Sequence, residues 1–81
     1  MYESINVWKR IDENTLIRYR CFRSIKKNKY FVQSVDYYHH PFDAKQAAFL
    51  EKNFIELLLE DSPETRSKAY DSLEEAITKY R

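Results

Sequence analysis

Two adjacent histidines, one cysteine and two carboxylates embedded among apolar residues are the side chains of this 81-residue chain best equipped for chemistry. The segment "YYHHPFD" holds His39, His40 and Asp43, which are residue types that bind transition metals. Neighbouring residues on an extended backbone point to opposite sides, so His39 and His40 cannot readily serve one ion together. Beyond these two histidines the only nitrogen or sulfur ligand is Cys21, so the sequence predicts no metal site. The expected role of the pair is structural, with one ring packing at a strand end or capping Asp43. Cys21 would need exposure and a nearby histidine to act as a nucleophile, and its place in an apolar alternation predicts burial instead. Asp36 and Glu51 lack an evident second carboxylate for general acid–base work. They are expected to neutralise arginines, Asp36 on its own sheet and Glu51 at Arg23. The chain contains no glycine, which removes the G-x-G-x-x-G and P-loop phosphate cradles. The expectation is a non-enzymatic protein without a cofactor.

The elements that position these side chains can be read from periodicity. Residues 4–11, 15–25 and 29–39 are rich in Ile, Val, Tyr, Phe and Thr and alternate as strands do. The breaks "DEN" and "KKN" are short and polar, and each ends in an asparagine, which tolerates the left-handed conformation. An antiparallel β-meander over 1–40 follows. Pro41 ends it, and Asp43 with Gln46 forms a capping-box pattern ahead of a helix over 43–60. Its apolar stripe (Ala47, Leu50, Phe54, Leu57, Leu58) is widened by Ala48, Ile55 and Leu59, with Phe49 on the polar side and Glu51 inside the stripe as misfits. "DSPE" stops this helix and starts a turn at Pro63. Residues 62–70 form a turn or short extended segment, with 66–70 either extended or helical. Ser72 and Glu75 open a second capping box and a last helix over 72–80. The predicted fold is α+β, in the order β-β-β-α-α, as one small domain over 1–81.

Strand alternation also divides the sheet into two faces. Ile17, Tyr19, Cys21 and Ile25, with Arg23 as an exception, share one face with Ile5, Val7, Ile11, Phe31, Val35 and Tyr37. This face is expected to form the core beneath the long helix. The opposite face carries Trp8, Arg10, Arg18, Arg20, Phe22, Tyr30 and Tyr38 and is expected to lie open. These seven are the candidate partner-binding residues, because Trp, Tyr and Arg dominate interface centres and exposed apolar patches mark contact sites. A competing expectation is that the C-terminal helix, or an extended tail, crosses this face and turns its aromatics into core.

Charge narrows the choice of partner. The net charge is +1, distributed as +4 over residues 1–41 and −3 over residues 42–81. Dedicated nucleic-acid binders are strongly basic, so a protein partner or a homodimer through the wide helix stripe is favoured, as for an inhibitor, immunity-type protein, adaptor or accessory subunit. Binding of single-stranded nucleic acid by the same face, with aromatics stacking bases and Arg18 and Arg20 on phosphates, is the alternative. Neither a signal-like apolar start nor a run of about 18 apolar residues is present, and a lone cysteine cannot form an intrachain disulfide. Together these predict no membrane contact and a cytoplasmic location.

Overall fold

In the computed structural model, which describes residues 1–80, the alternating segments form β1 (Tyr2–Asp12), β2 (Thr15–Ser24) and β3 (Lys29–His39). They pair antiparallel in the order β1-β2-β3. The β1–β2 turn is closed by the Asp12 carboxylate, which accepts from the Asn14 N–H at 2.8 Å. Asn28 ends the β2–β3 connection in the left-handed region at φ 54°, the conformation its side chain makes least costly. Asn14 is not in that region, and the first turn spans two residues where three were expected.

Three helical segments follow: α1 (Ala44–Glu60), α2 (Pro63–Arg66) and α3 (Leu73–Lys79). Asp43 caps α1 by accepting from the backbone N–H groups of Lys45 and Gln46, and Ser72 caps α3 through the N–H of Glu75 at 3.1 Å. Between α2 and α3 the chain is extended. Tyr70 there exchanges two backbone hydrogen bonds with Tyr30, of 2.8 and 2.9 Å, and so closes part of the outer edge of β3. No helix among the described residues is long and apolar enough to cross a membrane.

The helices cover the faces opposite to those expected. α1 packs on the arginine face, where Phe54 stacks on Phe22 with centroids 5.5 Å apart and planes inclined by 12°. α3 and the Tyr70 segment cover the cysteine face, where Cys21, Val32 and Ala76 form the buried centre with Tyr30, Tyr70, Leu73 and Ile77 around them. Two local features explain the exchange. Glu51, the charge inside the α1 stripe, meets Arg18 and Arg20, so the misfit of the helix and the charges of the sheet satisfy each other. On β3, Arg20 pairs with Ser34 while Cys21 pairs with Val32, which makes Gln33 the extra residue of a bulge. The bulge reverses the alternation. It sends Val32 and Tyr30 to the cysteine face as a seat for α3 and Phe31 to the arginine face.

Candidate partner-binding surface

Register places Trp8 beside Arg18, Arg18 beside Asp36, and Leu16 between Arg10 and Tyr38, all on the arginine face. At the end of this face where α1 begins, three rings form a row. Trp8 and Tyr38 have centroids 5.6 Å apart, and Tyr38 and Phe42 are 6.5 Å apart. The Arg18 guanidinium lies 5.1 Å from the Trp8 ring centre and 5.5 Å from that of Tyr38. Arg18 is itself held by Glu51 at 3.1 Å and by Asp36 at 4.0 Å. The row is thus backed by an ion-pair network and holds its shape without a partner.

Deeper in the same face, Arg20 is 2% exposed and contacts the Asp36 carboxylate through Nε at 2.5 Å. Its Nη2 lies 2.9 Å from Glu51, and its guanidinium stands 4.6 Å from the centre of the Phe54 ring. Burial works against the Arg20 charge, but the hydrogen bond to Asp36 and the neighbouring Asp36 and Glu51 carboxylates hold the guanidinium above its ordinary value. Burial, together with the Asp36 charge, likewise raises the Tyr38 phenol.

The seven sequence-derived residues therefore divide. Trp8, 52% exposed, and the exposed Arg10 stand at the surface with the half-buried Tyr38 and Arg18. Phe22, 3% exposed, and Arg20 lie beneath α1 and offer no free surface, contrary to the open-face expectation. Tyr30 sits on the other face through the bulge and is engaged by Tyr70. Glu51 pairs with Arg18 and Arg20, not with Arg23, whose partner is Glu3 at 2.8 Å. Asp36 neutralises strand arginines as expected.

Two more residues stand at this surface without being among the seven candidates. Leu16, 41% exposed, shares the alternation of Arg18, and Phe42, 65% exposed, directly follows Pro41. Alternation does place the first on this face, and only its aliphatic side chain kept it from the candidates. The second depends on the path of the chain after β3, where the His40–Pro41 peptide is cis. A cleft of about 330 Å³ adjoins the row, lined by Arg10, Asp12, Leu16, Tyr38, His39 and Phe42 among others. The Asp12 carboxyl there is held below the usual range, chiefly by the Asn14 N–H. His39 Nδ1 lies 3.3 Å from Thr15 Oγ1. Among the described residues no group of three or more His, Cys, Asp or Glu side chains is arranged to hold a metal ion. Cys21 is fully buried, and loss of hydration raises its thiol to about 11.

No protein-family model, curated protein or solved structure matches this chain.

Proposed function

We propose that this chain is a small non-enzymatic interaction module that binds a protein partner through the uncovered end of its arginine face. Trp8, Arg10 and Tyr38 are the contact residues, with Leu16 and Phe42 beside them and Arg18 as the brace beneath. The observation that carries this is the row Trp8–Tyr38–Phe42, left at the surface yet stiffened by Arg18, Asp36 and Glu51. Rigid aromatics lose little entropy on binding, and a flanking arginine supplies directed hydrogen bonds. Arg18 and Arg20 are already neutralised within the fold, which removes the two phosphate contacts on which a nucleic-acid reading of this face depends. The cytoplasm is the proposed compartment, on the strength of a buried lone thiol.

Quantitative affinity capture from the native host, comparing wild type with Trp8→Ala and Arg10→Glu, tests the proposal. A protein retained by wild type and lost by both variants is the expected result, whereas equal capture by all three overturns it. Titration of Trp8 fluorescence with mixed-sequence single-stranded RNA and DNA at ~50 and ~200 mM salt separates the alternative. Saturable quenching that collapses at the higher salt would replace the protein partner by nucleic acid.

A further inference from the structure

The two edges of the sheet are treated differently. The edge of β3 is kinked by the Gln33 bulge and closed at Tyr30 by Tyr70, two devices that prevent a strand from pairing with a foreign chain. β1 is eleven residues long and pairs only with β2 among the described residues. Its one irregularity lies at the end, between Arg10 and Asp12, and it contains no proline. The phase of its hydrogen bonds is defined. Ile25 donates to the Met1 carbonyl at 3.2 Å, so alternation along the ladder turns the odd residues of β1 toward β2. The peptide groups of Tyr2, Ser4, Asn6, Trp8 and Arg10 consequently face outward.

A second copy can use those groups only in antiparallel registers that pair even residues with even ones. Among these, the register centred on Asn6 opposite Asn6 brings Glu3 against Lys9 and Ile5 against Val7 on the cysteine face, each twice by symmetry. On the arginine face it sets Ser4 against Trp8 and Tyr2 against Arg10. A shift by two residues in one direction opposes Glu3 to Val7, and in the other it opposes Ile5 to Lys9, so both neighbouring registers bring a charge against an apolar side chain. Lys9 has no ion-pair partner among the described residues, whereas Glu3, half exposed, can hold Arg23 and a second cation.

We propose that β1 is a self-pairing edge. Two copies of this chain join β1 to β1 about a two-fold axis at Asn6, forming a continuous six-stranded sheet held by about ten backbone hydrogen bonds and two Glu3–Lys9 pairs. The partner is a second copy, selected by this charge and apolar complementarity. Both aromatic rows lie on the same face of the joined sheet, where Trp8 and Arg10 of each copy stand beside Ser4 and Tyr2 of the other, so the pairing borders the surface proposed above while Tyr38 and Phe42 stay clear of the β1 seam.

Cysteine cross-linking reads both the pairing and its register. A hydrogen-bonded antiparallel pair holds its Cα atoms about 5.5 Å apart, within disulfide range. Under mild oxidation Asn6→Cys is expected to give a covalent dimer, and Ser4→Cys or Trp8→Cys alone should not. An equimolar mixture of Ser4→Cys and Trp8→Cys should cross-link to the mixed dimer. The wild-type chain, with only Cys21 buried, is the inert control. In light-scattering measurements the 9.9 kDa chain should double in mass with concentration. Asn6→Pro, which removes an outward N–H, should stay monomeric with an unchanged circular dichroism spectrum, and Lys9→Glu should weaken association at least ~10-fold. A wild-type chain that stays monomeric to ~1 mM sinks the proposal. So does cross-linking of Ser4→Cys alone as fast as that of Asn6→Cys.

Discussion

Arg20 and Asp36 show how strongly one contact can be committed. Both are buried on the central and last strands, and Glu51 closes over them from α1. Removing one partner of a buried pair leaves an uncompensated charge, so Asp36→Asn is expected to lower stability by ~3 kcal/mol in urea unfolding. Glu51 is much more exposed, and Glu51→Gln should lose only about 1 kcal/mol or less. Cys21 gives a pH-dependent signature. Its folded thiol titrates near 11 while an unfolded one titrates near its ordinary value of 9.0, so the unfolded state releases its proton first. Stability is therefore unaffected by this group below pH 9 and falls between 9 and 11, by roughly 1.4 kcal/mol per unit at most. Cys21→Ser should flatten that part of the stability–pH curve. The amide of Gln33, buried without a hydrogen-bond partner, works against the fold. Gln33→Met keeps the length without the polar atoms and should raise stability by ~1 kcal/mol.

Among the elements, the two long-range helices differ in how they are held. α3 is only seven residues long but seats Ala76, with no exposed surface, against Cys21 and Val32. A larger side chain cannot enter that contact, and Ala76→Leu should cost ~1–3 kcal/mol through overpacking. α1 is seventeen residues long and has no fully buried residue. It is fastened by the Phe54–Phe22 stack and by Glu51, while Phe49, Ile55 and Leu59 stay at least half exposed. Hydrogen exchange should therefore be slowest in β2, which is paired on both sides, and faster in α1 despite its length.

At the scale of the whole molecule, a three-stranded sheet carries one helical layer on each face, and neither layer covers its face completely. Tyr37, 53% exposed, remains open on the cysteine side, and the Trp8 row remains open on the arginine side. Iodide should quench Trp8 fluorescence in the free monomer, and the quenching should drop when a protein partner binds. A Trp8 already shielded in dilute monomer would remove the row from consideration as a contact surface.

Period-two alternation, capping boxes and the asparagine before β3 determined the element order and most boundaries, because each is a local property of a few neighbouring residues. The pairing of Asp36 with strand arginines and the burial of Cys21 were legible for the same reason. Which helix covers which face was not. That choice rests on one inserted residue, Gln33, which reverses the alternation of β3, and on Glu51, whose place in an apolar stripe makes sense only once Arg18 and Arg20 lie beneath it. Burial of Phe22 and Arg20, exposure of Trp8 and the transfer of Tyr30 to the other face all follow from those two contacts. Both join residues far apart in the chain, and side-chain periodicity carries no information about such distances.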